Sequence, residues 1–147
     1  MDEAAKKGFK DLLEIMAKIV DKTDEYLDEP EKDPQLRVVH VRAQDVLCKD
    51  PQIKIIDNNL EAMHKLVCGY IETFSMFRSK KFVYFAIVNE EGYITDQPFN
   101  KEINGQKIYG DIFITKSALH GGEFISLTEA EAKKFAAVFR HTAISFV

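Results

Sequence analysis

A run of aromatic and β-branched residues, FVYFAIVN, occupies Phe82–Asn89 and is the strongest strand signal in the chain. An apolar run with so few interruptions is typical of a central strand that is covered on both faces. The basic stretch from Arg78 to Lys81 before it predicts a hairpin tip, and the Glu90-Glu91-Gly92 segment after it predicts a turn. We therefore expect a sheet with this run near its middle.

Shorter strands are predicted on both sides of this run. On the N-terminal side they cover residues 36–43, 52–56 and 70–76, where Val, Ile and aromatic residues are bounded by turn residues. On the C-terminal side we predict one strand over 108–115, with Gly110 at a bulge, and a short edge strand over 124–127.

Two helices are predicted from capping signals and apolar spacing. The first begins at Asn58, an N-cap with Glu61 at N3, and ends before Gly69, which takes the position where a left-handed residue is usual. The second begins after Thr128, because Thr128 and Glu131 have the spacing of a capping box.

An acidic amphipathic helix is predicted at the N-terminus, from about residue 2 to residue 28. Residues 1–34 carry six lysines against eleven carboxylates, a net charge of −5, whereas the remainder nets +1. The helix is either an extension packed on a separate core, a partner-binding element or a solvated face. Its candidate partner-binding residues are Asp21, Asp24, Glu25, Asp28 and Glu29.

The order of these elements predicts an α+β fold. We expect a mixed, largely antiparallel sheet of about five strands, with helices packed on one face, plus the N-terminal helix. Because 147 residues is the usual size of one domain, we divide the chain into the helix of residues 1–34 and a core domain of residues 35–147.

Composition argues against several classes of protein. A net charge of −4 is unusual for a dedicated nucleic-acid binder, which needs a basic face.

No apolar run approaches the ~18 residues that span a bilayer, and no secretory signal is evident, so we expect a cytoplasmic protein. Cys48 and Cys68 are expected to be reduced, with Cys68 buried. The four histidines lack metal-ligand spacing, so neither a metal nor a cofactor is expected.

Five short motifs occur in order between Leu36 and Phe139, namely GYIE (69–72), NEEG (89–92), Pro98-Phe99-Asn100, GDIFI (110–114) and GEFISLTEAE (122–131). Together they resemble a domain family of unknown function found mainly in phages, plasmids and other mobile elements of Firmicutes. The resemblance implies a mobile-element origin and no settled activity. Cys68 stands where the family often has Gly, and Lys101 where it often has Arg, which weakens any bidentate anion-binding role at that position.

One candidate binding site consists of polar residues in predicted loops, namely Asn89, Asn100 and Asp111. An asparagine side chain both donates and accepts hydrogen bonds, so it can bind an amide, a ribose or a base edge. The same residue types also cap turns, and that structural role stays open as the alternative.

A second candidate site combines basic and aromatic residues, namely Arg78, Lys80, Phe82 and Tyr84. Such a set can hold a nucleotide, with a ring stacked on the base and a cation on the phosphate. The alternative is a core strand that ends in a charged hairpin tip.

No motif of a known catalytic class is present, so we expect a non-enzymatic protein. The resemblance implies that it is an accessory protein of a phage or mobile element. The first hypothesis is a binding module that inhibits a host defence component by protein–protein contact. The alternative is a small-ligand binder that sequesters a nucleotide signal of host defence. A homo-oligomer is also plausible, because FVYFAIVN and the tail AISFV are more apolar than a minimal core requires.

Overall fold

The computed structural model describes residues 33–43, 50–92 and 94–146. The predicted N-terminal helix and Cys48 lie outside the described residues, and the division of the chain near residue 34 stays a prediction. The same holds for the acidic candidates Asp21, Asp24, Glu25, Asp28 and Glu29.

A six-stranded antiparallel sheet is the centre of the described structure. The run FVYFAIVN forms one of its interior strands, which confirms that prediction and the largely antiparallel α+β class. The strands in spatial order are β2 (Gln52–Asp57), β1 (Gln35–Val41), β7 (Ile112–Ala118), β4 (Phe82–Asn89) and β3 (Ile71–Arg78), with β8 (Phe124–Ile125) also paired to β7.

A second, three-stranded sheet was not predicted. It consists of β6 (Gln106–Tyr109), β5 (Phe99–Ile103) and β9 (Ala143–Ile144), with β9 parallel to β5. The described residues thus hold nine strands instead of about five. The single strand predicted over 108–115 was wrong, because the chain changes sheets at Gly110, whose φ of 81° is in the left-handed region.

The two helices, α1 (Leu60–Val67) and α2 (Glu129–Val138), pack on opposite faces of the large sheet, so the prediction of one face was wrong. Consecutive strand residues point to opposite faces. In β1, Val38 belongs to the cluster that contains α1, whereas Val39 belongs to the cluster that contains α2. Neither helix is long and apolar enough to cross a membrane, as far as the described residues extend.

The ends of α1 differ from the prediction by one residue. Asn59, not Asn58, is the N-cap, and its Oδ1 accepts from the Ala62 N–H at 2.8 Å. Cys68, not Gly69, takes the left-handed conformation, with φ 62°, and its side chain is exposed and not buried. At Gly69 the absence of a side chain allows Asn89 to come close, because a Cβ there would lie 2.6 Å from Asn89 Nδ2.

A buried polar network joins α2 to the large sheet. The capping box of Thr128 and Glu131 is confirmed, and the Glu131 carboxylate also bonds to two strand residues. Lys116 Nζ in β7 lies 2.7 Å from Glu131 Oε1, and the Tyr84 hydroxyl in β4 donates to Oε2. The Lys116 ammonium also lies 4.1 Å from the centre of the Phe82 ring. This network fixes the position of α2 on the sheet.

The segments that suggested a homo-oligomer lie in the core. Every second residue of β4, from Phe82 to Val88, belongs to the cluster under α2. Ile144 from the tail belongs to the same cluster, and Phe146 packs against it. Their apolar character is therefore explained by the fold of one chain.

Candidate functional site

The antiparallel pairing of β1 with β7 brings together two chain segments at one end of the large sheet. Val41 pairs with Ile112, so Arg42 and Ala43 lie beside the start of β7. The Ala43 N–H donates to Asp111 Oδ1 at 2.9 Å, which fixes this carboxylate between the two segments. Polar residues gather around this point, and we call them the β1-end cluster: His40, Arg42, Lys54, Asn100 and Asp111.

Asn100 belongs to the β1-end cluster as a structural clamp. It is fully buried, and its Nδ2 donates to Val41 O at 2.9 Å and to Gly110 O at 2.8 Å. Both amide hydrogens are used by main-chain acceptors, so the side chain ties β5 of the small sheet to the end of β1. The structure brings Asn100 and Asp111 together, as the grouping of the polar candidates required. In the structure, however, the amide N–H groups of Asn100 are hydrogen-bonded to main-chain carbonyls.

A relay of hydrogen bonds runs from Lys54 through His40 to Asp111. Lys54 Nζ lies 2.8 Å from His40 Nδ1, and His40 Nε2 lies 3.1 Å from Asp111 Oδ2. An ammonium group can only donate, so Nδ1 is the acceptor and Nε2 carries the proton that is donated to Asp111. Both ring nitrogens of His40 are thus occupied, and the residue is 5% exposed.

The pKa of Asp111 is lowered from its ordinary value of 3.8. Burial of the carboxylate acts in the opposite direction and raises the pKa. The hydrogen bonds from His40 and from the Ala43 N–H, together with the positive charge of Arg42, outweigh the burial. Asp111 is therefore ionised at neutral pH, and its charge is held in place from two sides.

Arg42 is the member of the cluster with unused hydrogen-bonding capacity. Its Nε and Nη2 atoms are shielded from solvent and donate to no acceptor in the described chain. Its charge contributes to the low pKa of Asp111, yet no ion pair joins the two residues. Buried donors without acceptors are rare in proteins, and each one calls for an explanation.

Asn89 closes the turns around α1. Its Nδ2 donates to the carbonyls of Val67 and Cys68, and its Oδ1 accepts from the Glu91 N–H. These bonds hold the end of α1 and the turn after β4. For Asn89 the capping alternative is therefore the role that the structure describes.

The basic and aromatic candidates do not form a nucleotide platform. Arg78 and Lys80 are exposed at the tip between β3 and β4, as predicted. Phe82 and Tyr84, however, are only 2% and 1% exposed, and they pack under α2. A ring in this position cannot stack on a base, because its faces already contact core side chains. The prediction that a nucleotide base stacks on Phe82 or Tyr84 was therefore wrong.

The face of the sheet that carries α2 also has two exposed apolar side chains at its edge, which were not predicted from the sequence. In β2, Ile56 packs toward α1, so Ile53 and Ile55 point to the other face of the sheet, where α2 lies. These two side chains are 42% and 54% exposed. On α2, a groove of about 570 Å³ is lined by Glu129, Ala130, Lys133, Lys134 and Ala137.

Within the described ranges, no group of three or more His, Cys, Asp or Glu side chains is arranged to hold a metal ion. Lys101, the position of interest in the Pro-x-Asn motif, is 4% exposed in β5. His40, Arg42 and Lys54 were missed because each belongs to a strand or its end. Only the register that places Val41 opposite Ile112 brings Arg42 close to Asp111.

Residues 36–140 match the model of a family described as a domain of unknown function, DUF3846. The span agrees closely with the region from Leu36 to Phe139 that carries the ordered motifs. No curated protein and no solved structure matches the chain.

Proposed function

The chain belongs to the DUF3846 family of domains of unknown function, and from that premise and the geometry above we propose that it is a non-enzymatic binding module that acts by contact with a partner protein. The observation that carries the proposal is the exposure of Ile53 and Ile55 on an edge strand, on the face of the sheet where α2 packs.

The state of His40 supports a role without catalysis. A histidine that acts as a general base needs one ring nitrogen directed at the substrate. In His40, Lys54 donates to one nitrogen, and the other donates to Asp111. The same relay holds the ends of β1, β2 and β7 together, which gives these polar groups a structural use.

The edge strand β2 supports contact with a partner strand. In the described sheet β2 pairs with β1 on one side only. Edge strands of natural proteins usually carry charges or cover that prevent pairing with other chains. Ile53 and Ile55 are instead large, apolar and exposed, which is typical of an interaction surface. Strand addition supplies main-chain hydrogen bonds, and the side chains supply specificity.

The chemistry of the neighbouring helix face favours an acidic partner segment. Lys133 and Lys134 line the groove on α2, and Ala130 and Ala137 leave room between them. Lys133 pairs with Glu129 at 3.2 Å, but both side chains are largely exposed, so this pair is weak and readily exchanged. We therefore propose an extended partner segment whose apolar residues contact Ile53 and Ile55 and whose carboxylates reach Lys133 and Lys134.

The partner that we propose is a component of host defence, inhibited by this contact. The resemblance to a family of phages and mobile elements motivates that choice, and so does the acidic segment of residues 1–34, which offers a second contact surface for a basic groove. Replacing Asp21, Asp24, Glu25, Asp28 and Glu29 by their amides tests the second surface. Full retention of partner binding would remove that segment from the proposal.

The test of the β2 surface is affinity capture with matched variants of the full chain. Ile55→Lys places a charge in the edge strand, whereas Leu60→Lys makes the same change at a side chain that is 61% exposed on α1, on the opposite face of the sheet. We expect the wild type and the Leu60 variant to capture the same protein from a host with active defence systems. We expect the Ile55 variant to lose at least about tenfold in affinity, since interface anchors commonly contribute ~2 kcal/mol or more.

Three results would count against this surface. The two lysine variants could bind the partner equally, which would place the contact elsewhere. The wild type could capture nothing from hosts with different defence systems. The purified chain could instead form a dimer that Ile55→Lys dissociates, which would make a second copy the occupant of β2.

A second candidate function is the sequestration of an anionic small molecule, such as a nucleotide signal. Burial of Phe82 and Tyr84 weakens the site first considered for it. The unused donors of Arg42 favour an anion at the β1-end cluster instead.

A further inference from the structure

One edge of the Arg42 guanidinium has no acceptor in the described structure. Its Nε and Nη2 are the two unpaired buried atoms, and they lie on the same edge of the planar group. Two parallel N–H groups in this arrangement match the two oxygens of one carboxylate or phosphate group. The unused capacity is therefore a complete bidentate fork and not a single stray donor.

The neighbouring carboxylate does not fill this fork in the described structure. Asp111 Oδ2 accepts from His40, and Oδ1 accepts from the Ala43 N–H. Asp111 is near enough for the Arg42 charge to lower its pKa, but no carboxylate oxygen of the described residues lies within ion-pair distance of Arg42. The charge of Arg42 is thus balanced only in part, and its directional donors stay available.

We propose that the Nε–Nη2 edge of Arg42 binds the carboxylate group of a ligand, beside Asp111 at the end of β1. The site goes beyond the proposed protein-binding function and uses a different part of the molecule from Ile53 and Ile55. Because both donors are shielded from solvent, their hydrogen bonds to a bound carboxylate are strengthened by the low local dielectric constant. Because the two donors are shielded, entry of the ligand requires a local opening of the surrounding chain, of the kind that proteins undergo in solution.

The charge balance of the β1-end cluster favours a carboxylate over a phosphate dianion. Arg42 and Lys54 each carry one positive charge, Asp111 carries one negative charge, and both ring nitrogens of His40 are engaged in hydrogen bonds. The charges of Arg42, Lys54 and Asp111 sum to +1, which a monoanion neutralises. A dianion would add a second negative charge close to Asp111, and like charges at short distance repel.

The test follows the Arg42 Nε–H signal of the full chain by proton–nitrogen NMR during titration with sodium acetate, with sodium chloride at equal ionic strength as the reference. The signal is assigned by its loss in Arg42→Lys, which keeps the charge and removes the fork. Arg78→Lys is the matched control, because Arg78 is exposed at the hairpin tip. An N-acetylated tripeptide with a free carboxyl terminus, compared with its amide, distinguishes a chain terminus from a free acid as the source of the carboxylate.

We expect a saturable shift of the Arg42 signal with acetate and an affinity for orthophosphate at least about tenfold weaker. Acetate should raise the Tm of the wild type and of Arg78→Lys but not that of Arg42→Lys. If the tripeptide binds more tightly than both its amide and acetate, the carboxylate belongs to a chain terminus. The proposal is overturned if the wild-type signal does not saturate with any carboxylate, or if orthophosphate binds more tightly than acetate. It is also overturned if acetate raises the Tm of folded Arg42→Lys as much as that of the wild type.

Discussion

Replacement of Glu131 by Gln should destabilise the fold strongly, because this residue closes the buried network between α2 and the sheet. The side chains of Lys116 and Glu131 are 3% and 1% exposed, and their charged atoms are 2.7 Å apart. Glutamine keeps the size of the side chain and one carbonyl oxygen, so the capping bond to the Thr128 N–H can survive. The negative charge opposite Lys116 is lost.

The size of the effect follows from the burial of Lys116. Removing one partner of a buried ion pair leaves an uncompensated charge and typically costs about 3–5 kcal/mol. The contact with the Phe82 ring, 4.1 Å from Lys116 Nζ, offsets this loss by no more than about 2 kcal/mol. Since a domain of this kind is stable by roughly 5–15 kcal/mol, Glu131→Gln should remove a large share of the total.

The double variant Lys116→Met/Glu131→Gln makes the reasoning testable. Methionine fills a similar volume and carries no charge, so the double variant should be more stable than Glu131→Gln alone by about 2 kcal/mol or more. Urea unfolding followed by far-UV circular dichroism measures both values, because the chain contains no tryptophan. Refutation would be a cost below about 1 kcal/mol for Glu131→Gln, or additive effects of the two changes.

Two further predictions concern the ends of α1 and the β1-end cluster. Cys68→Gly should stabilise the protein by about 1 kcal/mol in urea unfolding, because φ is 62° there and a side chain disfavours that conformation. Gly69→Ala should destabilise the protein, because it brings a Cβ within 2.6 Å of Asn89 Nδ2. Equal effects of the two changes would contradict the account. Asp111 has a lowered pKa in the folded state, so its stabilisation is present above pH 3.8 and is lost as the pH falls through the folded pKa. Asp111→Asn should therefore show a shallower loss of stability than the wild type in that pH range, and an unchanged acid limb would be evidence against the assigned hydrogen bonds.

Local signals in the sequence predicted the elements that form locally. The run FVYFAIVN became β4, and the spacing of Thr128 and Glu131 predicted the capping box of α2. The hairpin of β5 and β6 was missed, although Asn104-Gly105 is a strong turn signal and both residues have positive φ. The change of sheet at Gly110 could not be predicted, because residue periodicity describes a strand and not the partner with which it pairs.

Contacts between distant segments decided the rest. The side of the sheet on which each helix packs depends on the connection that leads to it, and the apolar residues on both faces of β1 permitted either choice. Lys116 and Glu131 are charged, so their burial was not predicted from the sequence. Their pairing depends on how α2 is placed against β7. Two polar candidates, Asn100 and Asp111, did meet. Their neighbours His40, Arg42 and Lys54 join them only through strand pairing.

Native mass spectrometry of the full chain, purified from a host with active defence systems and measured before and after denaturation, tests the central claim most directly. The wild type and Leu60→Lys should both retain one and the same protein mass, which Ile55→Lys should release. A retained small molecule with no partner protein, or a partner that Ile55→Lys retains as well as the wild type does, would contradict the account of a protein-binding module acting through β2.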